Sequence, residues 1–186
     1  RLRRTHENRG TRVSDPVSNR HEPDDGAVRE TDCRDRALRL LERRPHSRRE
    51  LRRKLVRRAF PEAVIETVLD DLERVHLLDD EQFARLFCEE RMRGSRALGG
   101  ARLRAELRRR GVADDVADAV LSELAAEGEL PSELERAVAA ARRKASGFGA
   151  DGDPWKDRGR LLRFLARRGF PAGICREAAD RVLPLP

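Results

Sequence analysis

The chain has 186 residues, 40% of them charged and 38% hydrophobic, with a formal net charge of +7, six Phe, one Trp and no Tyr. That is polar for a single round domain, and it suits an elongated array of small helical bundles with much surface per residue. No apolar run approaches membrane-spanning length and the N-terminus has no signal-peptide h-region, so a soluble, cytoplasmic protein is expected. Leu and Ala carry the apolar pattern, which favours helix over strand. Only Lys54, Lys144 and Lys156 are Lys, the other basic residues being Arg. A GC-rich genome gives such a bias by itself, so only the placement of the Arg residues is informative.

Residues 1–30 mix Pro, Gly, Asn, Ser and both charge signs without apolar periodicity, and are expected to be a disordered tail. Its seven Arg face six acids, so it makes a poor basic arm. From Cys33 the pattern turns helical, with Ala37, Leu38 and Leu41 on one stripe. Ser47 with Glu50 forms a capping box for a second helix carrying Leu51 and Leu55. Pro61 suits the first position of a third, where Val64, Ile65, Val68, Leu69 and Leu72 form a face. Residues 31–78 therefore read as three short helices around one small core.

That unit returns. With Phe60, Val112 and Phe170 as anchors, Leu51, Leu103 and Leu161 stand nine residues earlier, and Leu55, Leu107 and Leu165 five earlier. Val68–Leu69, Val120–Leu121 and Ala178–Ala179 stand eight and nine later, and Leu72, Leu124 and Val182 twelve later. The register holds without a gap over at least 22 positions, with periods of 52 and 58 residues. First helices recur as well. In the second unit Asp79 is the N-cap and Phe83, Leu86, Phe87 and Glu90 trace one side. In the third, Ser132 and Glu135 form a capping box ahead of Leu134, Ala137, Val138 and Ala141. Pro154 opens the next helix after Asp153, where Trp155 is expected to pack against its own unit in preference to stacking on a base. The predicted fold is all-α, three tandem three-helix repeats at 31–78, 79–130 and 131–186 in an elongated, curved array.

Nothing in the pattern points to catalysis. His6 and His21 lie in the tail, His46 in a turn and His76 at a helix end, without a partnered nucleophile. Asp79–Asp80 is explained by helix capping without a metal. There is no GxxxxGK[ST] nucleotide loop. Cys33, Cys88 and Cys175 lie far apart with no CxxC spacing, which argues against a disulfide framework or zinc, and Cys175 reads as a reduced core thiol. No enzyme activity, cofactor or metal is expected.

The second helices carry the candidate site. Three and two residues before the anchors stand Arg57–Arg58, Arg109–Arg110 and Arg167–Arg168, extended backwards by Arg52, Arg53, Arg104 and Arg163. Cations are favoured near any helix C-terminus. Recurrence in three units raises the competing reading, a basic ridge that holds a partner. By unit, 13 basic residues face nine acids in 31–78, nine face 12 in 79–130, and 12 face seven in 131–186. A protein that simply coats DNA would be basic throughout. A basic–acidic–basic series fits a mixed partner, such as a protein assembly on nucleic acid.

The segments "HSRRELRRKL", "LLDDEQFARLFCEERMR", "ALGGARLRAELRRRGV" and "LLRFLARRGFP" together resemble the RecX regulatory proteins. The most specific piece is Leu78-Asp79-Asp80 with Phe83-Ala84, then Arg91, then Glu106-Leu107 to Gly111. The resemblance covers about 33 to 183. It implies an all-helical, elongated, curved body that lodges in the groove of the RecA filament on single-stranded DNA. A monomer with at most weak direct DNA contact and no membrane association is expected. It further implies restraint of RecA's ATP hydrolysis, filament growth and strand exchange, in recombination, DNA repair and the SOS response. The alternative, a helical repeat protein that reads DNA directly, wants Asn, Gln, Ser or Thr on a recognition helix, which the second helices lack.

Overall fold

The computed structural model describes residues 25–94, 96–148 and 153–185. Among them are nine α-helices and no strand. They fall into three triplets: α1 (Asp25–Leu41), α2 (Arg48–Val56) and α3 (Glu62–Arg74); α4 (Asp80–Met92), α5 (Gly100–Arg110) and α6 (Asp114–Glu127); α7 (Glu133–Ala145), α8 (Pro154–Arg167) and α9 (Ala172–Val182). Within each triplet every pair of helices is in contact.

Three separate cores result, one per triplet. The paired leucines of the second helices, Leu51 and Leu55, Leu103 and Leu107, Leu161 and Leu165, are all 0% exposed. Each core also holds one free, buried cysteine, Cys33, Cys88 and Cys175 in turn. Burial pushes the Cys88 thiol up to about 12, which keeps it protonated and unreactive. Leu78, just before α4, closes the first core, and Leu130 packs on the second.

The helix starts follow their capping chemistry. Asp79 accepts from the amides of Glu81 and Gln82, and Asp153 from those of Trp155 and Lys156, with Pro154 opening α8. Ser132 and Glu135 form the full reciprocal box. Ser47 accepts from the Glu50 amide, but the Glu50 carboxylate turns away to Arg44 and Arg110, so only half of the expected box is made. Pro61 is an N-cap, one position ahead of the expected start of α3.

Each turn from second to third helix passes through a left-handed residue just before the anchor. Gly111 has φ 90°, Gly169 has φ 83°, and the first unit uses Ala59 with φ 60°. A Cβ in that region is disfavoured, so glycine is the better choice and Ala59 carries local strain. The anchors Val112 and Phe170 are buried, whereas Phe60 is half-buried.

Four further details depart from the sequence reading. The first helix begins at Asp25, inside the stretch expected to be disordered; residues 1–24 lie outside the described residues. Its buried stripe is Cys33, Ala37 and Leu40, with Leu38 and Leu41 half-buried. On α4 the core side is Phe83, Ala84, Phe87, Cys88 and Met92, with Phe83 stacked on Phe87. Leu86 and Glu90 lie round the helix from that face and are exposed. Trp155, expected to pack on its unit, is 67% exposed. Helix phase explains it: the apolar stripe of α8 runs through Leu161 and Leu165, and Trp155 falls on the other side.

Candidate functional site

The ridge residues sit on or just past α2, α5 and α8, and the structure divides them into three kinds. The first kind joins one unit to the next. Arg110 lies over the Phe87 ring at 4.4 Å, with Glu106 at 3.5 Å and Glu50 of the first unit at 3.6 Å. Its carbonyl accepts from the hydroxyl of Ser47, the N-cap of α2. Arg168 repeats the arrangement one unit on. Its guanidinium stacks on Phe164 at 4.8 Å and donates to the carbonyl of Ala97 at 3.0 Å. Its own carbonyl accepts from the amide of Gly99, the N-cap of α5, at 2.9 Å. Burial pushes the Arg168 pKa down, with Arg143 and Arg96 adding to the effect.

The second helices are therefore coupled head to tail: the C-terminus of α5 meets the N-terminus of α2, and that of α8 meets that of α5. Opposite ends of the helix dipoles meet at both joints. The turn glycines lie in the same contacts. A Cβ on Gly111 would come within 2.3 Å of Arg49, and one on Gly169 within 2.4 Å of the Arg102 amide nitrogen. In the first unit the equivalent Arg58 is exposed. Much of the recurrence at this position thus reflects joint-building.

The second kind is neutralised by carboxylates. Arg104 pairs with Asp118, Arg109 lies 3.6 Å from Glu106, and Arg52 pairs with Glu62 and with Glu66 at 2.6 Å. Neighbouring Arg108 makes a two-pronged pair with Asp114 at 2.8 and 2.9 Å. The acids of the middle unit are spent largely on its own Arg residues.

The third kind is exposed and makes no ion pair among the described residues: Arg53, Arg57 and Arg58 in the first unit, and Arg163 and Arg167 in the third. Sequence reasoning missed cations that join the first group. Lys54 has its pKa pushed down by burial, then by Arg44, Arg36 and Arg43. Arg36 and Arg39 line a surface recess of about 330 Å³ together with Arg58, Phe60, Asp32 and Asp35, and Asp35 lies 3.9 Å from Arg39. Arg36 and Arg39 are three residues apart on α1 and so share a helical side, a signal that the focus on second helices passed over.

The first unit is also tied internally by charge. Arg48 of α2 reaches Glu66 at 2.7 Å, Asp70 at 2.8 Å and Glu73 at 2.5 Å on α3, while its amide donates to Asp80 at 2.7 Å. Arg52, then Arg48, hold the Glu66 carboxyl below its ordinary value. A carboxylate with a depressed folded-state pKa adds stability above its unfolded pKa and loses it as pH falls through the folded one. Asp80 opposes this, because burial raises its pKa and protonation favours the folded state. Stability of the first unit is expected to drop as pH falls below about 4, and Glu66→Gln should flatten that drop. Thermal unfolding across a pH series, wild type against variant, checks it; an unaltered slope would mean that this network adds nothing.

Among the described residues no cluster of His, Cys, Asp or Glu could hold a metal, and no helix is long and apolar enough to cross a membrane. His46 is buried, with Nδ1 against the Arg44 carbonyl at 2.9 Å, and burial lowers its pKa.

Comparison with known proteins agrees with this geometry unit by unit. Residues 33–72, 79–121 and 132–179 match the first, second and third three-helix domains of RecX. The chain belongs to the RecX family. A Regulatory protein RecX from Halorhodospira halophila is 42% identical over 154 residues, 83% of this chain and 89% of that one. One from Thermus thermophilus is 41% identical over 76% of this chain and 86% of its own length. The fold is shared with the crystal structure of RecX from Lactobacillus salivarius, at a TM-score of 0.69 and 19% identity, over 84% of this chain and 97% of that one. A second crystal structure, of regulatory protein RecX, gives a TM-score of 0.70 at 19% identity over 83% and 73%. These relatives are named as regulatory proteins, and the joints described above link the three domains of this chain.

Proposed function

We propose that this chain binds the RecA filament on single-stranded DNA and restrains its ATP hydrolysis, growth and strand exchange, acting as a monomeric cytoplasmic regulator and not as an enzyme. The observation that carries the reading is the division of the Arg residues. The two outer units expose unpaired cations, while in the middle unit every Arg except the exposed Arg96 has a carboxylate partner. A linked body with two such ends touches a repeating polymer at two places, and the weak contacts combine through effective concentration. The partner surface is then acidic protein or exposed phosphate at each end.

The test is inhibition of RecA's DNA-dependent ATP hydrolysis over a salt series. Reversing Arg57 and Arg58 to Glu should weaken inhibition at low salt, and reversing Arg163 and Arg167 as well should weaken it further. The difference should shrink as salt rises, since exposed charges are screened over roughly 10 Å at 0.1 M. Circular dichroism controls for folding. If the fourfold reversal inhibits like wild type at low salt while remaining helical, the outer cations are only a solvated face.

A further inference from the structure

The outward side of α8 sets Trp155, which the filament reading leaves unused, in line with two of the exposed cations that reading employs. Trp155 opens it and is 67% exposed, the most exposed of the large apolar side chains described. Steps of four residues move only about 40° round a helix, so Trp155, Gly159, Arg163 and Arg167 follow one another along one side. The buried residues Asp157, Leu161 and Leu165 occupy the other. Gly159 has no side chain, and the Arg163 guanidinium lies over it, with Nη1 3.5 Å from where a Cβ would stand. That places the cation back along the helix toward the indole. Among the described residues the nearby acids are engaged elsewhere: Asp153 caps α8 and sits 3.4 Å from Lys156, and Asp157 holds Arg160 at 2.9 Å. Arg163 and Arg167 have no such partner among the described residues. The joint to the middle unit uses Arg168, whose guanidinium turns to Ala97, so this side of α8 is left open.

An exposed aromatic followed by unpaired guanidiniums is the recognition chemistry of single-stranded nucleic acid. Every unstacked base offers a π-face to an aromatic ring, and the backbone offers a phosphate per nucleotide to the cations. A bilayer would need more apolar surface than one indole beside Gly159 and Ala166. Duplex DNA keeps its bases stacked and away from Trp155. The stretch from Trp155 to Arg167 is roughly 18 Å long at 1.5 Å per residue, enough for a few nucleotides.

We propose that this side of α8 is a binding stripe for single-stranded nucleic acid, with Trp155 stacking on a base and Arg163 and Arg167 taking phosphates. It extends the filament reading without depending on it, since a regulator held by protein contacts alone would need no such stripe.

The composition supplies the probe. Trp155 is the sole Trp and Tyr is absent, so indole fluorescence reports this site and no other. Titrating the full chain with a short oligothymidylate at low salt should quench that emission saturably. Arg163→Glu with Arg167→Glu should raise the Kd at least tenfold. It should also flatten the dependence of log affinity on log salt by about 1.4, the value for two phosphates on a single strand. A charge-matched double variant on α9, Arg176→Glu with Arg181→Glu, should stay within a few-fold of wild type. With a labelled oligothymidylate read by anisotropy, Trp155→Ala should weaken binding by about fivefold to a hundredfold, the range for one stacked base, and Trp155→Phe should recover part of it. Absence of quenching in a folded protein overturns the proposal, as does equal quenching in the α8 double variant. Quenching by RecA alone, with none by the oligonucleotide, also overturns it and makes the stripe a protein contact. Inhibition of RecA is measured separately, so the stripe can fail while the filament reading stands, and the reverse.

Discussion

Leu107→Ala will cost the middle unit about 2–5 kcal/mol, the range for removing a well-packed leucine. Leu107 is 0% exposed and shares its core with Phe87, Leu103, Val112 and Val120. The cores are separate, so the loss should stay local at first. Denaturant unfolding should show an early phase for the middle unit, followed by the outer two, because each repeat is stable only through its own core and its joints. Leu55→Ala, equally buried in the first unit, should move a different phase. An unchanged midpoint for Leu107→Ala would mean that the second core is not packed as described. One uniform shift of a single cooperative transition would mean that the three units unfold as one.

The repeat could be read from the sequence because its signal is local. Leucines four residues apart, a turn residue before each anchor and an apolar third helix all act within one unit, and each unit solves the same packing problem. Helix starts were legible where a side chain makes the cap, as at Asp79, Ser132 and Asp153. The phase of α4 was harder. Leu86 is as apolar as the residues beside it, and only the packing of Phe83 on Phe87 decides which side faces inward. Trp155 is harder for a related reason: its place in the first turn after Pro154 suggests packing on its own unit, whereas the stripe through Leu161 and Leu165 leaves it outside.

The ridge was half legible. Recurrence at one offset singled out Arg58, Arg110 and Arg168, and the offset does have a shared cause. The cause in two of the three is the joint to the preceding unit, a contact between residues more than 60 positions apart, such as Ser47 with Arg110. No periodicity within one unit could reveal it. Nor could sequence tell that Asp114 and Asp118 would neutralise Arg108 and Arg104 while Arg163 and Arg167 stayed unpaired. The residues that remain open for a partner are those with no carboxylate facing them, and that is a property of the assembled surface.

Gly99→Ala should uncouple the third unit from the second while leaving both folded. The backbone at Gly99 has φ −79°, which alanine adopts without strain, so the effect would come from space alone. An added Cβ would stand 2.3 Å from the Gly169 carbonyl oxygen and 2.5 Å from the Phe170 amide nitrogen. Both neighbours are backbone, so no rotamer change can relieve the clash and the two units must move apart. That shift would stretch the bond from the Gly99 amide to the Arg168 carbonyl, 2.9 Å long, and the bond from Arg168 to Ala97, 3.0 Å long. Overpacking of this kind costs about 1–3 kcal/mol, here charged to the joint and not to either core. Gly100→Ala is the matched control. Its added carbon would meet only the ends of Arg104 and Glu133, at 3.5 and 3.6 Å, and alanine favours the first turn of α5. Helicity should be unchanged in both variants. Limited proteolysis should cut Gly99→Ala faster between the second and third units, and inhibition of RecA should weaken about tenfold or more as the two ends lose their fixed separation and the gain from linkage falls. Equal behaviour of the two variants would mean that the joint tolerates movement, and that the outer units act on a partner without being held in register.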